Sequence, residues 1–354
     1  MEAMAKQWRH AVVGAGVVGG WHIGLIPKLP GSTLVAISDN NPAKSAAAME
    51  KYKTTVPAYT DLNELFKNEK IDVLHVCTPS GDHMNPAIAA MERGINVIVE
   101  KPMEIQLDRI DRMVEVSKKN GVRLAGVFQN RWNEANRAIK QAADEGRFGK
   151  FSWASCITPW YRNDNYYRDG GWRGTWKWDG GGAVMNQSVH AIDLLQWIVG
   201  PVKQVSAYAS SRIHPEIEVE DTLSCALQFQ NGGFGTIVGT TAVYPGGPVR
   251  IEVGGENGHA VSEYALRTFK FREEKPGDEE LRDRLGKITK TSAGASTNTD
   301  VGIDNHNLNI TAILKAWEEG RDAPTHGAEA RKAVAIILAM YESARKNGAP
   351  VEVK

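Results

Sequence analysis

Two residues in this sequence have the type and setting for proton chemistry at neutral pH, Lys101 and His190. Lys101 closes the run Val97-Ile98-Val99-Glu100-Lys101-Pro102. An apolar strand run ending in Glu-Lys-Pro carries an amine to a strand end, and lysine is seldom buried without a task. There it can hydrogen-bond a substrate hydroxyl and favour its alkoxide character, while burial draws its own pKa down. Pro102 fixes the turn and admits a cis bond. A surface lysine following a strand is the plainer alternative.

His190 follows Gly180-Gly181-Gly182 in a helical pattern. Met185, Val189, Ile192 and Leu195 make one apolar face. Asn186 and His190, four apart, share another. His190 can exchange a proton near neutral pH. Asn186 is placed to orient its ring, and Asp193 either reaches the ring or serves structure. A satisfied structural histidine is the competing reading. Between Lys101 and His190 lies a cluster of Trp160, Tyr161, Arg162, Tyr166, Tyr167, Arg168, Trp172, Arg173, Trp176 and Trp178. Flat apolar walls with planar donors suit a polyhydroxylated ligand. Arg131, Trp160, Arg162, Tyr166 and Arg173 are therefore expected substrate contacts, with Lys101, Asn186 and His190. A packed loop or an oligomer interface would use the same residue types.

These groups need a scaffold, and the scaffold begins at His10. Ala11-Val12-Val13 is a short strand run, Gly14-x-Gly16-x-x-Gly19 follows, and a helical apolar pattern resumes at Ile23. Gly14 permits the turn, Gly16 lets a pyrophosphate approach, and Gly19 allows close packing of helix on strand. The helix start at Val17 and Val18 offers free N–H groups to phosphates. A second strand run, Leu34 to Ser38, ends at Asp39, 20 residues beyond Gly19. A carboxylate there accepts both ribose hydroxyls and repels a 2′-phosphate. Asn40 and Asn41 follow, with no arginine nearby. The cofactor expected is NAD in preference to NADP. Thr78, Pro79, His83, Glu100 and Lys101, at later strand ends, complete the expected cofactor contacts, with His83 near the nicotinamide. His22 is expected to pack on the first helix.

Residues 1–129 alternate strand and helix patterns: helices at 43–52, 61–67, 86–93 and 107–119, strands at 73–78, 96–100 and 122–128. Such alternation predicts a doubly wound parallel sheet that binds ligands beyond the carboxyl ends of its strands. A connecting helix over 136–146 leads to strand patterns at 150–158, 202–213, 221–230, 233–243, 248–254, 259–264 and 266–272. They are mostly consecutive, which predicts an antiparallel open sheet. Residues 273–300 read as a polar surface excursion. Two helical patterns follow, 305–320 and 327–347. The expected domains are 1–129, with helix 327–347 packing back on it, and 130–326 for substrate binding and oligomerisation.

Composition excludes several classes. Lysine plus arginine equals aspartate plus glutamate, 42 each. That balance gives no field for nucleic acid or an acidic membrane. Cys77, Cys156 and Cys225 lack metal-ligand spacing and read as reduced core residues of a cytoplasmic protein. No metal site is expected. No apolar stretch reaches the length of a membrane span.

The chain resembles the Gfo/Idh/MocA oxidoreductases, the glucose–fructose oxidoreductase and inositol dehydrogenase group. The resemblance rests on Gly14-x-Gly16-x-x-Gly19-x-x-His22, Thr78-Pro79…His83, Glu100-Lys101-Pro102 and Gly180-Gly181-Gly182…His190-x-x-Asp193, with His306 and Val351-Glu352-Val353 in the tail. It implies an α/β fold, a Rossmann domain followed by an α/β domain with a large, mostly antiparallel open sheet. It also implies oxidation or reduction at a sugar or cyclitol carbon, with Lys101 and His190 catalytic, and homo-oligomers, dimers or tetramers, that pair their sheets. Many members carry Asp where this chain has Asn186, and an amide cannot stabilise an imidazolium as a carboxylate does. The expected activity is NAD-dependent oxidation of a secondary hydroxyl of a sugar, anhydrosugar or cyclitol to a ketone. A redox-neutral NAD-dependent glycoside hydrolase and a non-catalytic NAD- or sugar-sensing regulator are the rival readings.

Overall fold

A computed structural model describes residues 6–169, 171–287 and 303–354. The chain divides into two compact units, Met1–Phe128 with Ile303–Arg331, and Gln129–Gly302 with Lys332–Lys354.

The first unit holds a six-stranded sheet of β1 (Trp8–Val13), β2 (Ser32–Ser38), β3 (Ala58–Tyr59), β4 (Val73–Val76), β5 (Asn96–Val99) and β6 (Leu124–Gly126). The order is β3-β2-β1-β4-β5-β6, and every pairing is parallel. Strands β4 and β5 are almost wholly buried, as central strands covered on both faces must be. Helix Leu107–Lys119 falls on its predicted residues and buries Ile110, Met113 and Val116. Asp61 caps helix Leu62–Asn68 by accepting from Asn63 N–H. The core includes Trp8, Val12, Ile23, Ile37 and Ile98.

The second unit is built on β7 (Phe151–Pro159), β8 (Val202–Ser210), β9 (Thr222–Phe229), β10 (Phe234–Thr240), β11 (Arg250–Gly255), β12 (Gly258–Glu263), β13 (Ala265–Phe271) and β14 (Val351–Glu352). Their order is β13-β12-β11-β7-β10-β9-β8-β14. All pairs are antiparallel except β7 with β10. Helices Glu134–Asp144 and Val189–Val199 pack on this sheet. Burial alternates along β8, β9 and β11, the signature of a sheet with one covered and one open face. Trp153, Tyr208 and Phe234 are exposed.

Two expectations need revision. The segment grouped with the first unit is Ile303–Arg331, and from Lys332 the last helix belongs to the second. Ile310, Ile313, Leu314 and Trp317 enter the first core, with Trp317 edge-on to Trp8. Farther along, Ser343 Oγ accepts from Ala207 N–H on β8. The expected excursion over 273–300 begins as a helix, Asp278–Gly286, that buries Leu285. Asp278 pairs there with Arg147. The remainder of that segment lies outside the described residues.

Candidate functional site

In the first unit the glycine turn lies between β1 and helix Val17–Leu25. Gly14 has φ +89°, and a Cβ there would stand 2.4 Å from the Cys77 carbonyl oxygen. A Cβ on Gly19 would stand 1.7 Å from the Gly14 carbonyl. Both glycines are required by packing. Gly16 differs, because its Cβ would meet nothing within 4 Å. It faces open space at a helix start where Val17 is exposed, the cradle that a pyrophosphate needs. Asp39 is buried at the end of β2. Its Oδ2 accepts from Ala15 N–H at 2.8 Å and its Oδ1 from Asn41 N–H at 2.9 Å. Each oxygen keeps a lone pair for a ribose hydroxyl. Asn40 is exposed beside it. These residues fit a dinucleotide.

Thr78, Pro79 and His83 follow β4. His83 is buried, with Nδ1 2.9 Å from the Pro102 carbonyl and Nε2 2.9 Å from the Thr78 carbonyl. Burial lowers its pKa against the pull of those carbonyls. Its ring therefore ties the loop after β4 to the Glu100-Lys101-Pro102 turn. The Lys101–Pro102 bond is cis. Glu100 Oε2 accepts from Lys101 N–H at 3.1 Å. Glu100 Oε1 is 2.9 Å from His22 Nε2 and 3.6 Å from His306 Nε2. Burial pushes this carboxyl up, but hydrogen bonds from His22 and His306 outweigh it and hold it well below the usual carboxylate range. His22 is thus part of a polar cluster inside the unit, beyond the helix packing expected of it.

In the second unit the segment before His190 is not a continuous α-helix. Ala183–Gln187 is one π-helical turn that runs through Ser188 into helix Val189–Val199. Asn186 lies in that turn and His190 in the first turn of the helix that follows, and such turns often mark functional sites. Two of the three glycines are needed at close quarters. A Cβ on Gly181 would stand 2.0 Å from the Tyr341 hydroxyl, and one on Gly182 1.8 Å from the Glu220 carbonyl. The Glu220 side chain accepts from Gly182 and Val184 N–H and from the Tyr341 hydroxyl. Burial raises its pKa to about 7.

Asn186 donates to Asp179 Oδ1 at 2.7 Å, and Gly174 N–H donates to Asp179 Oδ2. Gln187 Nε2 donates to the Tyr166 hydroxyl at 2.6 Å, and Arg162 donates to Gln187 Oε1 at 3.2 Å. The Arg162 guanidinium lies over Trp160 and Tyr166, and Arg173 lies over Tyr166 at 4.3 Å. Gln187 Nε2 also lies 3.4 Å from Asn186 Oδ1, so Trp160, Arg162, Tyr166, Arg173 and Asn186 form one connected group. Among the described residues Trp160 Nε1 and Arg162 Nε, both buried, have no acceptor, which a native interior seldom leaves. Arg131 departs from expectation. Its guanidinium is buried against Asp193, Nε to Oδ2 at 2.7 Å and Nη2 to Oδ1 at 2.5 Å. That bidentate pair engages the Arg131 guanidinium within the protein, where the sequence suggested a substrate contact.

Asp179, Gln187, Glu220 and Tyr341 were not found from sequence. Only Asp179, directly before Gly180, offered a signal, an acid opening the glycine turn. Among the described residues, His22, Glu100 and His306 gather three potential ligand atoms within 4.8 Å, as do Asp164, His214 and Glu216. The first group is closed by a 2.9 Å hydrogen bond, and two members of the second are exposed carboxylates. No helix among the described residues is long and apolar enough to cross a membrane.

Residues 8–128 match the family model described as "Oxidoreductase family, NAD-binding Rossmann fold", and residues 136–261 that of the GFO/IDH/MocA C-terminal domain. The chain is 28% identical to myo-inositol 2-dehydrogenase of Thermotoga maritima, over 76% of this chain and 79% of that protein. It is similar to the structure of the WlbA dehydrogenase from Bordetella pertussis in complex with NADH and UDP-GlcNAcA. That likeness has a TM-score of 0.88 and 32% identity, over 99% of each chain. Levoglucosan dehydrogenase, in complex with NADH and levoglucosan, shares the fold at 21% identity, TM-score 0.82, over 99% of this chain and 100% of that one.

Proposed function

Since the chain belongs to the Gfo/Idh/MocA oxidoreductase family, we propose that it is an NAD-dependent dehydrogenase oxidising a secondary hydroxyl of a sugar, with NAD preferred over NADP. The observation that carries the sugar reading is the group of aromatic faces and guanidinium planes formed by Trp160, Arg162, Tyr166 and Arg173. Flat apolar walls with planar donors suit a polyhydroxylated ring. The substrate placed first is a nucleotide-linked sugar acid. Its support is the WlbA likeness over nearly the whole chain and the two arginines of that group, since guanidinium forks suit carboxylate and phosphate.

When bound, NAD supplies the hydride acceptor. The pyrophosphate is assigned to the turn at Gly14, Gly16, Val17, Val18 and Gly19, and the ribose hydroxyls to Asp39 beside Asn40. Thr78, Pro79, His83 and Glu100 are assigned to the nicotinamide half. Lys101 hydrogen-bonds the substrate oxygen and favours its alkoxide. His190 takes the hydroxyl proton. Asn186, held by Asp179, is assigned to positioning that histidine. A homo-oligomer, dimer or tetramer, is proposed through the open sheet face that exposes Trp153, Tyr208 and Phe234.

The test is NADH formation with UDP-linked sugar acids, free sugars, inositols and anhydrosugars, NAD and NADP in parallel. Lys101→Ala and His190→Ala should each lose about a hundredfold or more of turnover. Unchanged turnover in either would sink that residue's assignment. Activity with NADP alone would overturn the reading of Asp39.

A further inference from the structure

The first unit contains a run of buried imidazoles. Ser32 Oγ, at the amino end of β2, lies 3.1 Å from His10 Nε2 on β1. His10 Nδ1 is 2.8 Å from His75 Nε2 on β4. His75 Nδ1 is 2.8 Å from His22 Nδ1 on helix Val17–Leu25. His22 Nε2 is 2.9 Å from Glu100 Oε1, at the carboxyl end of β5. The three histidines are at most 1% exposed. They occupy core positions beside Val12 and Ile98, where an aliphatic residue would cost no polar burial.

The bonds define one another. An ionised Glu100 only accepts, so His22 carries its proton on Nε2. Its Nδ1 must then accept, so His75 carries its proton on Nδ1. His10 in turn carries its proton on Nδ1, and its Nε2 accepts from Ser32 Oγ at 3.1 Å, the shorter of that hydroxyl's two contacts, the other being the Pro30 carbonyl at 3.4 Å. With one proton on each ring, every donor points toward Glu100. Burial lowers the pKa of His10 to about 4 and of His75 well below the ordinary value.

We propose that the chain Ser32–His10–His75–His22–Glu100 is a proton relay between solvent and Glu100, and that it answers the change in cofactor charge. A proton entering at His10 Nε2 displaces the Nδ1 proton of His10 to His75 Nε2. That of His75 moves to His22 Nδ1, and that of His22 to Glu100 Oε1. Each proton advances one place, nothing is oxidised, and all three tautomers invert. The reverse shift restores them. The proposal rests on the assignment of the Glu100-Lys101-Pro102 turn to the nicotinamide half. NAD has a cationic ring and NADH a neutral one, so the oxidised cofactor holds Glu100 ionised more firmly than the reduced cofactor, against the histidines that already keep it well below the usual carboxylate range. The proton that enters on reduction leaves on reoxidation, and the cycle closes without any ring turning over. Among the described residues, His306, Cys77 and His83 are titratable groups that also interact with Glu100, and Lys101 is its neighbour in the chain. At the far end His10 feels Asp72, itself paired with Arg9.

The whole protein is mixed with NAD or NADH in weak buffer with a pH indicator, while binding is followed by tryptophan fluorescence. NADH should take up a fraction of a proton more per chain than NAD, growing as the pH is lowered toward the carboxylate range, in step with binding. Glu100→Gln should abolish that difference. His75→Gln should make uptake lag binding by about tenfold or more. Equal uptake with the two cofactors, or uptake in step with binding in His75→Gln, overturns the relay. Nitrogen-15 NMR of the histidines in the unsubstituted protein covers a variant that fails to fold. It should show Nε2–H on His22 and Nδ1–H on His75 and His10, and any other pattern, or a stoichiometric bound metal, overturns the relay. A protein showing the proton difference but oxidising no sugar would refute the dehydrogenase reading and leave the relay standing.

Discussion

Asn186 donates from Nδ2 to Asp179 Oδ1 across 2.7 Å, and Asp179 is 1% exposed. The carboxylate missing at position 186 is therefore supplied one bond away. Asp179 also accepts from Gly174 N–H, so it fixes the loop before the π-helical turn as well as the amide.

Asp179→Ala should lower kcat about tenfold or more while KM changes less, because Asn186 loses its partner. Hydrogen bonds to charged groups contribute about 1.5–3 kcal/mol each, so stability should also fall. Asp179→Asn should recover part of the rate and shift the pH profile. Equal losses in both variants, with an unmoved profile, would mean that the residue serves folding only.

Asp39→Ala should weaken NAD binding by about tenfold to a hundredfold, from one or two lost hydrogen bonds to a charged group. NADP binding should weaken less, or improve, because the repelling charge is gone. Titration calorimetry with both cofactors reads this directly. Parallel losses for the two would argue that Asp39 acts only through Ala15 and Asn41.

Glu220 gives a stability prediction with a definite sign. Its pKa rises from 4.5 to about 7 in the folded chain because it is buried. The folded state then binds the proton more tightly than the unfolded state. The resulting stabilisation is fully present below pH 4.5 and is lost as pH rises to about 7, up to about 3 kcal/mol in all. Denaturant titrations between these pH values should show the decline, and Glu220→Gln should flatten it.

The pair of Arg131 and Asp193, both under 5% exposed, should behave as a buried ion pair. Asp193→Ala should cost about 3–5 kcal/mol by stranding the guanidinium, whereas Arg131→Met with Asp193→Leu should cost much less. If the double variant folds and keeps its KM, Arg131 touches no substrate. A large rise in KM without loss of stability would restore it as a contact.

The sequence by itself determined the features that are local or periodic. The turn Gly14-x-Gly16-x-x-Gly19 demanded strand before and helix after. The apolar face of Leu107–Lys119 placed that helix on its residues. The alternation of elements led to a parallel sheet followed by a largely antiparallel one. Even the connected group of Trp160, Arg162, Tyr166 and Arg173 was legible, since those residues are close in sequence. Tertiary structure decided what depends on distant chain. Arg131 looked available until Asp193, 62 residues later, closed on it. The three glycines before His190 looked like a helix start, but Tyr341 and Glu220 require the bareness of Gly181 and Gly182. His10, His22 and His75 looked like scattered strand and helix residues. Only the β2-β1-β4-β5 order sets them in one line with Glu100, because strand pairing joins residues that no local pattern relates.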